Sequence, residues 1–308
     1  MSDLYPFENN FLELNQLKYH YLDEGQGDPV VMVHGNPSWS FYYRNLAKTL
    51  RDRYRVIVPD HIGCGLSDKP GDEDYSYTFK QRVDDLDALL EHLEVRERIT
   101  LIVHDWGGMI GMAYASRHPE RIARLVILNT AAFHLPPGKK FPLALKICRD
   151  TALGKFLVLK LNMFALMAAR VGCKRNPMSE ALRGAYCAPY DTASDRIATL
   201  RFVQDIPLKP EDPGYDLISE VEAGLERFAD LPMTICWGMK DFVFDKHFLK
   251  EWQRRFPNAE VHAFADCGHY ILEDASDEVI PIIERFLAEH PIGSPIGEPV
   301  AAPLDERA

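Results

Sequence analysis

Asp105 is the residue in this sequence best placed to do chemistry. It lies in LIVHDWGGMIGMAYA (101–115), where an apolar β-type run ends at His104 and a stretch rich in small residues begins at Gly107 and Gly108. Strand, sharp turn and helix in that order put a side chain on an exposed bend at a helix N-terminus. Unsatisfied N–H groups and the helix dipole there favour an anion. An ionised carboxylate so held is expected to keep a low pKa, and it can displace a leaving group from carbon to form an ester. Aspartate is also a good helix cap, so the assignment depends on partners elsewhere in the chain.

Two partners have the required order and position. The apolar run 232–237 (PMTICW) leads into Asp241, and the run 259–264 leads through DCGHY (266–270) into His269. A nucleophile followed by an acid and then a histidine, each just beyond the carboxyl end of a strand, is the arrangement of the α/β-hydrolase triad. His269 would activate water and Asp241 would orient its ring. Asp245, Asp266 and Asp274 are competing acids, but they fall deeper in loops or helices. His34, His61 and His104 read as hydrogen-bonding partners of backbone near the site. The first glycine of the usual elbow pattern is replaced by Val103, while Gly107 keeps the second.

Charge expelled in such a reaction needs donors. The loop HGNPSWS (34–40) carries Asn36, and Trp106 directly follows the nucleophile. Backbone N–H groups from these two positions form the oxyanion hole in this architecture, and their side chains add an amide and an indole N–H. None of this chemistry calls for a metal or a cofactor.

The elements that must position these residues follow a clear rhythm. Apolar runs at 18–23, 29–33, 55–59, 99–104 and 122–128 alternate with helical patterns at 39–50, 77–93 and 106–117. The alternation resumes with runs at 232–237 and 259–264 and helices at 246–255 and 276–289. Continuous apolar strands separated by helices predict an α/β protein, a mostly parallel sheet covered on both faces. Residues 133–220 break the rhythm, with helical pattern and several prolines. They are expected to form a helical cap inserted after the sixth strand, between catalytic segments 1–132 and 221–290. The proline-rich 291–308 is expected to be a disordered tail.

The motifs together resemble the haloalkane dehalogenase family. HGNPSWS, DHIGCGLSDKP (60–70), VHDWGG (103–108), WGMKDFVF (237–244) and CGHYILED (267–274) carry the resemblance across nearly the whole catalytic part. It implies an α/β-hydrolase fold with an eight-stranded sheet, Asp105 as nucleophile, His269 as base, Asp241 as acid, and Asn36 with Trp106 as the halide-binding pair. One subgroup of the family places a glutamate after the sixth strand, where this chain has Asn129-Thr130. RDTALGKFLVLKLN (149–162), AYCAPYD (185–191) and DRIATLRFVQDIPL (195–208) are similar to the subgroup that includes the β-lactone decarboxylases of bacterial long-chain olefin biosynthesis. The implied substrate is a small apolar haloalkane or a long-chain cis-β-lactone. Epoxide hydrolysis is the alternative: Tyr186, Tyr190 and Tyr215 could protonate an epoxide, but Asn36 stands where an aromatic residue is usual.

Bulk properties narrow the partners. The 308 residues carry a net charge of −11, which argues against nucleic acid. Six scattered cysteines, without a C-x-x-C pair, read as reduced thiols, and the N-terminus lacks signal-peptide character, so a cytoplasmic location is expected. Against that acidic background, residues 139–175 hold nine Lys and Arg and one acid, a net charge of +8. An amphipathic cap with a solvated basic face is the simple expectation. Docking to an acidic partner enzyme or an anionic membrane surface is the sharper one, and a homo-oligomer is compatible with either.

Overall fold

The computed structural model describes residues 4–293. In chain order the elements are β1 (Asn10–Leu14), β2 (Leu17–Glu24), β3 (Pro29–Val33), α1 (Arg44–Leu50), β4 (Arg55–Pro59), α2 (Phe79–His92), β5 (Ile99–Asp105), α3 (Trp106–Arg117) and β6 (Ile122–Thr130). Then come α4 (Leu143–Asp150), α5 (Ala152–Leu161), α6 (Met163–Val171), α7 (Glu180–Cys187), α8 (Ile197–Gln204), α9 (Tyr215–Gly224), β7 (Met233–Gly238), α10 (Lys246–Arg255), β8 (Glu260–Phe264), α11 (Ile271–Asp274) and α12 (Ser276–Glu289). The strands form one sheet in the order β1-β2-β4-β3-β5-β6-β7-β8, parallel from β4 onward.

The apolar runs become strands because both faces of the sheet are buried. Alternate residues feed two separate cores. Val31, Val33, Leu101 and Val103 pack with Leu86 and Ile110 from α2 and α3. Val30, Met32, Ile102 and Val126 pack with Leu46 and Ile283 from α1 and α12. Each such side chain contributes about 1.5–3 kcal/mol on burial, so a one-residue slip of β5 would reverse every face at once.

β1 departs from the sequence reading, which has no strand there. Its residues NFLEL are only half-buried or exposed. The strand is held by main-chain pairing to β2 around a two-residue turn, Asn15-Gln16, with φ of 49° and 69°. That is the mirror-image turn favoured in hairpins, without the glycine that signals it.

Residues 133–220 contain α4–α8 and the start of α9, with no strand. The expected limit at 220 falls inside α9, whose Ile218 and Val221 belong to the core beneath α3. The tail expected over 291–308 lies outside the described residues beyond Gly293. Before that point, Arg98 donates to the carbonyl of Ile292 at 3.1 Å.

Candidate active site

The carboxyl ends of β5, β7 and β8 lie along one edge of the sheet, with β6 between the first two, and deliver Asp105, Asp241 and His269 to one place. Asp105 ends β5 with φ 53° and ψ −126°, a conformation that costs a non-glycine residue about 1–3 kcal/mol. Its neighbours over-determine the bend. The Thr130 hydroxyl donates to the Asp105 carbonyl. Gly107 lets α3 start against β3: a Cβ there would sit 1.9 Å from the Val33 carbonyl oxygen. Gly35 leaves room for the carboxylate itself, since a Cβ there would lie 2.0 Å from Asp105 Oδ1.

The backbone N–H of Asn36 donates to Asp105 Oδ1 at 2.7 Å. That of Trp106 favours the charged carboxylate more weakly, without a well-formed hydrogen bond. These two N–H groups lie where the anion-binding hole was expected. The second oxygen, Oδ2, lies 3.6 Å from His269 Nε2. On the other side of the ring, His269 Nδ1 donates to Asp241 Oδ2 at 2.8 Å. Asp241 Oδ1 accepts the backbone N–H groups of Val243 at 2.8 Å and Phe244 at 3.1 Å. The three sequence-predicted residues are thus brought into one row, with a hydrogen bond from His269 to Asp241 and a 3.6 Å approach of His269 to Asp105, and all are buried, with Asp105 7% and His269 6% exposed.

Electrostatics differ from expectation at Asp105. Burial pushes its pKa up, and the pull of His269 and of the Asn36 and Trp106 N–H groups does not fully reverse this. The expected low pKa gave those N–H groups too much weight against desolvation. Burial of His269 works toward lowering its pKa. Asp241 and Asp105 together outweigh that effect and hold it above the usual imidazole value.

The three other histidines noted near the site act as backbone braces. His34 Nδ1 donates to the Gly35 carbonyl at 2.7 Å, His61 Nε2 to the His34 carbonyl at 3.0 Å, and His104 Nε2 to the His269 carbonyl at 2.9 Å. The competing acids are engaged elsewhere. Asp245 caps α10, Asp266 pairs with Arg175, and Asp274 accepts the backbone N–H groups of Lys174, Arg175 and Asn176.

Two contributors were not singled out by the sequence. Asn129, at the end of β6, donates to Asp241 Oδ2 and to the Gly238 carbonyl, both at 3.0 Å, and accepts the Gly238 N–H at 2.8 Å. The only signal for it was its place after the sixth strand. Asp60, fully buried, accepts from His20 Nδ1 at 2.8 Å, Ser40 N at 2.6 Å and Leu66 N at 2.9 Å. Burial pushes its pKa up, yet His20, His34 and the N–H groups carry it down to about 2. It braces the loop that presents Asn36.

A cavity of about 450 Å³ opens onto Asp105, Asn36, Trp106 and His269. Its wall comes from α4–α6, α8 and the 133–145 and 242–244 loops and is almost wholly apolar, with His134 and Lys139 as further polar residues. The Asn36 side-chain amide donates to the Thr199 carbonyl of α8 at 3.1 Å, so part of the expected donor pair is already engaged with the cap. The Trp106 indole N–H has no partner among the described residues.

No tyrosine lines the cavity among the described residues. Tyr186 donates to Glu273 at 2.6 Å, Tyr190 to the Ser38 carbonyl at 3.5 Å, and Tyr215 packs against His134 with the rings tilted by 33°. The epoxide-hydrolase alternative therefore loses the acids it requires.

Comparison with known proteins agrees with this geometry. The alpha/beta hydrolase fold family matches residues 28–276. A cis-3-alkyl-4-alkyloxetan-2-one decarboxylase of Shewanella oneidensis is 63% identical over 289 residues, covering 94% of this chain and 91% of that protein. One of the same name from Xanthomonas campestris is 50% identical, covering 88% and 93%. Haloalkane dehalogenase 2 of Mycobacterium tuberculosis is 32% identical, covering 92% and 96%. The crystal structure of the haloalkane dehalogenase DatA of Agrobacterium tumefaciens superposes with a TM-score of 0.82 at 22% identity, covering 94% and 100%, a likeness of fold. The chain belongs to the alpha/beta hydrolase fold family, in a branch of enzymes that holds both these decarboxylases and haloalkane dehalogenases.

Proposed function

We propose that this chain decarboxylates cis-3,4-dialkyl β-lactones to cis-alkenes, with Asp105 as nucleophile, and that the same carboxylate can displace halide from haloalkanes. The single observation carrying the reading is a buried carboxylate with two backbone N–H groups at its base and an apolar cavity before it. The two decarboxylase relatives supply the substrate class.

With Oδ1 held by Asn36, Oδ2 is the attacking oxygen. Attack at the ring carbon bearing oxygen forms the C–O bond of an aspartyl ester and breaks the ring C–O bond, freeing a β-carboxylate. Fragmentation then releases carbon dioxide, places the electron pair in the new double bond and returns Asp105 as a carboxylate. Inversion followed by anti fragmentation conserves the cis relationship. No water and no proton enter this cycle. An apolar, water-poor cavity suits it, because a carboxylate stripped of water attacks more readily and the fixed N–H groups at Oδ1 receive the charge again when the ester fragments. Production of a long-chain alkene places the reaction at the end of an olefin-forming sequence.

The halide reaction uses the same first step, with Asn36 and Trp106 receiving the halide. It then needs His269 to activate water against the ester, as the 2.8 Å bond to Asp241 equips it to do. The purified protein should be given a cis-β-lactone with long alkyl arms and a 1-bromoalkane, with alkene and halide measured in parallel. Much faster release of cis-alkene supports the decarboxylase reading. Halide release with no alkene would replace it by the dehalogenase reading.

A further inference from the structure

The cap exposes apolar side chains that nothing among the described residues covers. Of the twelve large hydrophobic residues left exposed among the described residues, eight fall between Leu135 and Met167. Leu143 on α4 is 71% exposed, and Leu153 and Phe156 on α5 are 59% and 51% exposed. On α6, Met163, Leu166, Met167 and Arg170 recur at helical spacing and are all exposed. A clustered patch of this kind on an otherwise ordinary surface marks an interaction site.

The charges carried by this segment, 139–175, are one-sided. Lys139, Arg149 and Arg175 are spent on Asp245, Asp212, Asp266 and Glu278. Lys140, Lys146, Lys155, Lys160, Arg170 and Lys174 are exposed and make no ion pair among the described residues. Asp150 is the one acid in the whole segment, and Arg149 holds it at 2.7 Å. The rest of the chain is acidic, so an anionic surface would attract this face and repel the others.

The patch is also continuous with the cavity. Met163 and Met167 are exposed and at the same time line the cavity wall, as do Leu135 and Phe242. The α5–α6 pair is apolar enough for a membrane span, but it bends by 78° at Asn162. A bent apolar pair rimmed by lysines suits lying in the headgroup region of a bilayer rather than crossing it.

We propose that α4–α6 dock this enzyme on an anionic lipid bilayer, with the cavity mouth set against the acyl chains. Apolar substrate would then pass from lipid to Asp105 without crossing water. The inference rests on the apolar-substrate reading above. A protein partner seated on the same face would close the mouth, which favours lipid as the occupant.

The test is flotation of the full chain with vesicles of phosphatidylcholine alone and of phosphatidylcholine mixed with phosphatidylglycerol. Two double variants are compared, Leu153→Asp with Phe156→Asp and Lys155→Glu with Lys160→Glu; none of the four residues lines the cavity. The wild type is expected to float with the anionic vesicles, less so as salt rises, and each double variant to lose about tenfold or more of the bound fraction. Both variants should keep the wild-type rate on a short, water-soluble β-lactone and lose rate on a long-chain lactone carried in vesicles. Failure of the wild type to float, or flotation of both variants like wild type, overturns docking. So does a dimer in solution that the Leu153/Phe156 variant dissociates while no vesicle binding is seen. If the wild type floats but turns over neither lactone, docking stands and the substrate reading falls.

Discussion

Asn129 Nδ2 and Asp241 Oδ2 lie 3.0 Å apart, and the same Asp241 oxygen receives His269 Nδ1 at 2.8 Å. Asn129 thus fixes the acid that fixes the base, while its other contacts lock β6 to Gly238 at the end of β7. Loss of a hydrogen bond to a charged group costs about 1.5–3 kcal/mol. Asn129→Ala should therefore slow turnover of a haloalkane by about ten- to hundredfold in kcat with KM held. A matched fall in KM-controlled capture, or no change in kcat, would show that the contact is only structural.

The two reactions differ in what they ask of His269: halide turnover depends on it as a base and decarboxylation does not. Halide turnover needs a neutral imidazole, and its pKa is held above the usual value, so the acid limb should lie above the ordinary histidine range. Lactone decarboxylation needs only an ionised Asp105, so its acid limb should lie lower, though above the usual carboxylate range because burial raises that pKa. Rate-against-pH profiles on both substrates check the separation.

His269→Ala should trap an aspartyl ester from a bromoalkane, visible as added protein mass, while still forming alkene from a lactone. Removing the ring also removes a charge that favours the Asp105 anion, so the acid limb of decarboxylation should move to higher pH. Equal loss of both reactions would mean that the lactone path also requires a base.

Asn36 carries the clearest anion-stabilising geometry, yet its side chain is shared with Thr199 of the cap. Asn36→Ala keeps the backbone N–H and removes the amide. It should reduce halide release by about a hundredfold, as loss of one donor to developing charge does, with a smaller effect on alkene formation. A larger effect on alkene would assign the side chain to the lactone oxygen.

Asp60 offers a test of the brace behind that loop. Its folded pKa of about 2 lies below the unfolded carboxylate value, so its stabilisation is present above about pH 4 and is lost as pH falls toward 2. Asp60→Asn should destabilise the fold by about 3–5 kcal/mol near neutral pH, because it leaves His20 and two N–H groups without their charge partner. An unchanged denaturant midpoint would remove Asp60 from the account.

The buried strands were readable because continuous apolar runs, bounded by turns, leave a two-faced parallel sheet as the natural solution; 29–33 and 55–59 match β3 and β4 to the residue. β1 was missed because its alternation is short and only half-buried: Leu12 and Leu14 pack on the core while Phe11 and Glu13 are exposed, a weak pattern at a sheet edge. Asp105, Asp241 and His269 could be placed because each follows a strand end. Asn129 and Asp60 could not, because their role is to hold other groups, and that depends on neighbours distant in sequence. The sign of the Asp105 shift failed for a related reason: depth of burial is a property of the finished fold.

The central claim is that the Asp105 carboxylate forms the bond to carbon. It is tested most directly by the rate of alkene release from a cis-3,4-dialkyl β-lactone by Asp105→Asn, with the amide verified by mass after the assay. An amide in that place is a far weaker nucleophile, so the rate should fall by at least about a thousandfold. A rate within a few-fold of wild type, from protein that still carries the amide, would contradict the account.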